Sequence, residues 1–191
     1  MIDARNILNE SGAILSGHFL LRSGKHSDTY VECAKTLQYV WHSRELGSEI
    51  SLKLQRFAPD CIVSSTETGI IIGYEVARNL DIPFIFAEIV DGKASFNHCL
   101  EPTMYKNLII VEDLIADGEI IRNITLGLKE FNSEIIGVGS IVNMSQNDKI
   151  ENVPVISLLN LPAKIFNPDE CPMCKEGIEL TTFKEPCKRA I

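Results

Sequence analysis

The stretch Leu108-Ile109-Ile110-Val111-Glu112-Asp113 decides the fold reading. Four consecutive large apolar residues describe a strand buried on both faces, and two adjacent acids then close it. Downstream, Ile120, Ile121, Ile124, Leu128 and Phe131 recur at helical spacing and feed a second apolar run, Ile135 to Val142. Upstream, Leu46, Ile50, Leu54 and Phe57 fall on one helical face and lead into Cys61-Ile62-Val63. A helix over Gly69 to Leu80, a strand over Phe84 to Ala87 and a last strand over Val153 to Leu159 complete the pattern. Strands alternating with helices imply an α/β fold with a mostly parallel sheet covered on both faces. In such sheets ligands sit outside the carboxyl ends of the strands, which is where the two acids are expected.

The chain has 191 residues, with 18 Lys plus Arg against 26 Asp plus Glu and a formal charge of −8. That length fits one domain, read as an N-terminal hood over 1–40, an α/β core over 41–160 and a C-terminal tail helix over 161–191. The tail opens on Asn167-Pro168-Asp169-Glu170, a cap followed by Pro and first-turn acids. An acidic chain with no run of basic residues is not expected to hold nucleic acid or an anionic membrane. Gly69 to Ala77 and Leu108 to Ala116 are too short to span a bilayer, and Met1 to Glu10 carries no secretory pattern. A cytoplasmic location is therefore expected, with the six cysteines reduced rather than paired.

At the end of their strand, Glu112 and Asp113 could accept hydrogen bonds from two sugar hydroxyls or hold a divalent cation through water. The competing reading is that one acid caps a loop and the other is solvated. Cys171 and Cys174 have zinc-like spacing, but only Cys187 follows them and no histidine lies beyond His98, so no metal site is assigned. His18 and His26 are expected to pack or hydrogen-bond, and Tyr74 to sit in the core.

Several motifs carry a resemblance. Gly17-His18-Phe19-Leu20-Leu21-Arg22-Ser23-Gly24-Lys25-His26-Ser27-Asp28-Thr29-Tyr30, the helix Gly69 to Arg78, Val90-Asp91-Gly92-Lys93, the Glu112-Asp113 strand end and Cys171-Pro172-Met173-Cys174 resemble orotate phosphoribosyltransferases, in order over nearly the whole chain. The resemblance implies a type I phosphoribosyltransferase fold with an N-terminal hood, usually a homodimer. It also implies magnesium bound with the donor, and a reaction joining orotate to phosphoribosyl pyrophosphate in pyrimidine nucleotide synthesis. Carried onto this sequence, Lys93 and His98 stand at catalytic positions. Glu112 and Asp113 stand at the ribose, Ala116, Asp117, Gly118 and Glu119 at the 5′-phosphate, and Thr66, Glu67, Thr68 and Gly69 at the pyrophosphate. Arg22, Lys25 and Lys35 stand near the donor or the dimer interface, with plain surface charge as the alternative.

The same positions depart from the family pattern, and each departure opposes anion binding. A loop like Thr-Thr-Gly-Gly reads Ala116-Asp117-Gly118-Glu119, with Asp117 expected at the helix N-cap. Where the family has Pro-Ala-Met-Gly-Gly stands Ser65-Thr66-Glu67-Thr68-Gly69. The arginines expected around Lys93 are replaced by Ile89, Asn97 and His98, and the arginine for the orotate carboxylate aligns with Met144. A like charge about 4 to 5 Å from a phosphate costs on the order of 3 to 4 kcal/mol at an effective dielectric near 20. The sequence thus supports a family member with weak or no transferase activity, a non-catalytic binding paralogue, or a fold-mate retargeted to a less anionic, nucleoside-like ligand.

Overall fold

A computed structural model describes residues 2–21, 23–96, 100 and 102–183. In chain order its strands are β1 (Ile14–Leu20), β2 (His26–Val31), β3 (Cys61–Ser64), β4 (Phe84–Phe86), β5 (Glu88–Val90), β6 (Lys93–Ser95), β7 (Asn107–Ile115), β8 (Glu134–Asn143), β9 (Lys149–Ile150), β10 (Val153–Asn160) and β11 (Ile165–Phe166). The helices are α1 (Ala4–Glu10), α2 (Ala34–Leu37), α3 (Val40–Leu54), α4 (Glu67–Leu80), α5 (Glu119–Leu128) and α6 (Pro172–Lys175). The chain forms two compact units: residues up to Ala13 with Cys33–Pro162, and Ile14–Glu32 with the residues from Ala163 onward.

The first unit is built on a six-stranded sheet in the order β4-β3-β7-β8-β10-β9. All neighbouring pairs are parallel except β10 with β9, which is antiparallel at the edge. Strand β7 lies inside the sheet, so its apolar residues are buried on both faces and alternate between two partners. Leu108 and Ile110 join the cluster that includes Ile121, Ile124 and Leu128 of α5. On the other face, Val111 lies with Leu54 and Ile50 of α3 around Gly139, the three side chains that a Cβ at this position would meet. The expected periodicity of Leu46, Ile50 and Leu54 is the buried stripe of α3, while Phe57 falls in the 3-10 turn Gln55–Phe57 that follows.

Strand β7 and a side chain of α4 differ from the sequence reading. Strand β7 runs through the acids to Ile115, because its pairing with β8 continues at Glu112↔Ser140 and Leu114↔Val142 and Ile115 is buried. Tyr74, expected in the core, is 56% exposed on α4, with an edge-on ring contact to Phe84. Among the described residues no helix is long and apolar enough to cross a membrane.

In the second unit, β1 and β2 form an antiparallel hairpin, and β11 adds to β2. The Asn167 signature opens only a 3-10 turn, Pro168–Glu170, followed by the four-residue α6. Gly177, at φ +71°, lies just beyond it in the left-handed region, the usual place for a helix to stop. Its described residues bury few apolar side chains: Phe19, Val31, Ala163 and Cys171.

Candidate functional site

The turn after β3 faces the acids of β7. Ser64, the last residue of β3, donates its hydroxyl to the Val111 carbonyl at 2.6 Å, tying the two strand ends together. The chain then turns into α4, capped by Thr66, whose Oγ1 accepts the Gly69 amide at 2.9 Å. Here Glu112 is enclosed. Its Oε1 accepts the Ser65 amide at 2.6 Å, the Ser65 hydroxyl at 3.0 Å and the Thr66 amide at 3.4 Å, and its Oε2 accepts the Thr66 hydroxyl. Gly69 makes this possible, since a Cβ there would fall 2.6 Å from Thr66 Oγ1 and 2.7 Å from Glu112 Cδ.

Glu112 is 1% exposed and Asp113 9%. Burial pushes the Glu112 carboxyl up to about 7, against the hydrogen bonds from Thr66 and Ser65 that favour its charge, with neighbouring Asp113 adding to the rise. Asp113 is also raised by burial, opposed by side-chain hydrogen bonds from Thr68 and Cys33. The sequence left two readings open for these acids, a pair facing the crevice or one acid capping a loop; Glu112 bonds the β3–α4 turn, while Asp113 accepts from Thr66 at 3.3 Å and from Thr68 and Cys33.

At the other loop, Gly118 rather than Asp117 occupies the N-cap of α5, in a left-handed conformation at φ +81° that favours glycine. Asp117 stands one residue earlier, and its Oδ1 accepts the Glu119 amide at 3.0 Å. A carboxylate therefore takes the first helical amide, as expected, although from outside the cap. Ala116, Asp117 and Glu119 are exposed, as is Glu67 in the first turn of α4.

Lys93 on β6 pairs with Glu130. Lys35 donates to the Gly12 carbonyl at 3.2 Å, and Lys25 is exposed in the hairpin turn. His98 and Arg22 lie outside the described residues. Met144 is buried, its amide bonded to the Ile115 carbonyl at 2.8 Å. A cavity of about 410 Å³ lies at the carboxyl ends of β8 and β10, lined among others by Asn143, Asn147, Ser157, Asn160, Lys53 and Asp148.

Comparison with known proteins bears directly on this arrangement. No protein-family model matches the chain. The orotate phosphoribosyltransferase of a Thermoanaerobacter species is 37% identical over 174 residues, covering 91% of this chain and 92% of the relative. That of Thermotoga maritima is 33% identical over 174 residues, covering 91% and 93%. The chain belongs to the orotate phosphoribosyltransferase family. Solved structures carry the same fold at low identity. The orotate phosphoribosyltransferase of Aeropyrum pernix matches with a TM-score of 0.65 at 15% identity, covering 83% of this chain and 94% of that one. Leishmania donovani UMP synthase matches with a TM-score of 0.71 at 18% identity, covering 83% of this chain and 36% of that one. The type I phosphoribosyltransferase fold expected from the motifs is thus the fold of this member of the family.

The sequence reading missed Ser65, which supplies two of the donors to Glu112, and Cys33, which bonds at Asp113. Ser65 stood first in the quoted loop without a role, and its position directly after a buried strand was the available signal. Cys33 carried none.

Proposed function

We propose that this chain keeps the scaffold of its family without efficient phosphoribosyl transfer from phosphoribosyl pyrophosphate to orotate. The observation that carries this reading is the capture of the Ser65 and Thr66 amides by the Glu112 carboxylate. By resemblance, residues 65–69 stand where the family binds pyrophosphate, so a donor would have to displace a buried carboxylate to reach those amides. Transfer of a ribosyl group needs donors aimed at the departing pyrophosphate, and here they already hold an anion. The Asp117 carboxylate on the Glu119 amide supports the same reading at the 5′-phosphate loop.

Magnesium, which the resemblance brings in with the donor, prefers an octahedral set of carboxylate and water oxygens. Glu112 and Asp113 are buried against hydroxyls and amides, so a direct magnesium site at these acids does not fit. Lys93, one of the two candidates for catalysis, is paired with Glu130, which fits the same conclusion. The reading treats residues 1–191 as one phosphoribosyltransferase-like domain in a cytoplasmic homodimer. The exposure of Val40 (72%) and Trp41 (53%) at the start of α3 supports a second copy as partner.

One observation favours a second reading, a less anionic nucleoside-like ligand. The cavity at the ends of β8 and β10 offers the exposed side-chain amides of Gln146, Asn147 and Asn160, which suit neutral hydroxyls and base edges. The deciding experiment mixes the protein with magnesium, orotate and phosphoribosyl pyrophosphate and follows orotate absorbance, beside calorimetry with the donor and with uridine. The expected result is no ordinary turnover and no micromolar donor binding. A kcat in the usual range of about 1 to 10³ s⁻¹ would overturn the first reading.

A further inference from the structure

The second unit gathers two histidines and two cysteines that the donor site does not use. His18 lies on β1, His26 on β2, and Cys171 and Cys174 flank the start and body of α6. One ligand atom from each lies within 4.8 Å of every other. The shortest separations are 2.9 Å between His18 Nε2 and His26 Nδ1, 3.5 Å from Cys171 Sγ to His18 Nε2, and 3.7 and 3.3 Å from Cys174 Sγ to His18 Nε2 and His26 Nδ1.

We propose that His18 Nε2, His26 Nδ1, Cys171 Sγ and Cys174 Sγ form a structural zinc site that fastens the N-terminal hairpin to the Cys171–Lys175 segment. Around one tetrahedral ion, with Zn–S near 2.3 Å and Zn–N near 2.0 to 2.1 Å, nitrogen and sulfur ligands lie roughly 3.5 Å apart. The nitrogen–sulfur separations bracket that value. The two nitrogens are closer than the roughly 3.3 Å expected around zinc, so the imidazoles part by a few tenths of an ångström on binding. A two-iron cluster would place the histidine pair and the cysteine pair on different irons, which the short cross-pair distances do not suit.

Three features beyond proximity support the site. The Ile178 carbonyl, 2.8 Å from His18 Nδ1, can only accept a hydrogen bond. That places the proton on Nδ1 and leaves the Nε2 lone pair turned to the cysteines, the orientation that outer partners impose on metal-bound imidazoles. Secondly, β1 shifts register between Ser16 and Phe19, and His18 and Phe19 are buried as consecutive residues. A bulge is what re-aims a strand side chain inward. Thirdly, His18, His26 and Cys171 are buried while the described apolar core of the unit is small, and small modules of that kind commonly depend on a metal. Four protein ligands fill the tetrahedron and leave no open coordination position, which makes the site structural rather than catalytic.

The proposal does not depend on the reading of the donor site, which lies in the other unit. The test uses the full chain, purified in reducing buffer without chelator. Elemental analysis is expected to find about one zinc ion per chain. Replacement with cobalt(II) is expected to produce the intense absorption of a tetrahedral ion together with a thiolate charge-transfer band. Cys174→Ala changes a surface-exposed residue, so the chain is expected to fold, to lose the bound zinc and to lose the cobalt spectrum. Removing zinc with a chelator should lower the melting temperature of the parent and leave that of Cys174→Ala unchanged. A zinc-free parent that gives no tetrahedral cobalt spectrum on reconstitution overturns the proposal, as does equal zinc retention by Cys174→Ala or a Cys171–Cys174 disulfide in the isolated protein.

Discussion

The Glu112 carboxylate and the Ser65 backbone amide meet at 2.6 Å across 47 residues of sequence. Burying a charge is costly unless donors surround it, and Glu112 has amide and hydroxyl donors from both Ser65 and Thr66. Those bonds do not cancel the desolvation, since the carboxyl is still raised to about 7.

That imbalance predicts a pH dependence of stability. Glu112 ordinarily titrates near 4.5 and is held near 7 in the folded chain, so between these values the folded state keeps a proton that the unfolded state has released. Stability is greatest below the lower value, falls as the pH rises through the window, and levels off above 7. The fall amounts to roughly 3 kcal/mol, and Asp113, raised in the same direction, adds to it. Urea unfolding at pH 5 and pH 8 measures this difference. Glu112→Gln should shrink it, and an unchanged profile in that variant would assign the dependence to other groups.

Gly69→Ala places a Cβ against Thr66 Oγ1 and the Glu112 carboxyl carbon. Overpacking of this kind costs about 1 to 3 kcal/mol, and here it also disturbs the α4 cap. The urea midpoint should drop accordingly. A variant as stable as the parent would mean that α4 can draw back from Glu112 without loss.

Removing the exposed carboxylates at both loops should raise anion affinity in part, with Glu112 still on the Ser65 and Thr66 amides. The variant combining Asp117→Thr, Glu119→Gly and Glu67→Met is expected to bind pyrophosphate about tenfold more tightly than the parent, or roughly 1.4 kcal/mol. This is less than simple charge repulsion at 4 to 5 Å suggests, because all three side chains are exposed and solvent screens them. Calorimetry at low and high salt checks it; equal affinities in the two proteins would mean that these charges do not keep anions out.

Lys93 and Glu130 pair at the surface, with side chains 40% and 71% exposed. Exposed pairs contribute under about 1 kcal/mol, so Lys93→Met should shift the urea midpoint only slightly, and by less at high salt. A large loss of stability would show that the lysine supports more than this pair.

Local sequence determined the α/β architecture because each buried element announces itself by its own periodicity. The run Leu108 to Val111 can satisfy two apolar faces only inside a sheet, and Leu46, Ile50 and Leu54 can share only a helical stripe. The motifs around Gly17 to Tyr30 and Glu112-Asp113 likewise placed the chain in its family. What periodicity could not reach was which elements meet. Glu112 was legible as an acid at a strand end, but its capture by the Ser65 and Thr66 amides depends on β3 and β7 pairing side by side with α4 starting at Gly69. The cysteines at 171 and 174 lacked partners in any downstream search, because His18 and His26 precede them by about 150 positions and arrive only through the folded second unit. A side chain's local pattern says which face it occupies; its chemical environment is set by the segments that tertiary pairing brings against that face, and sequence separation carries no record of them.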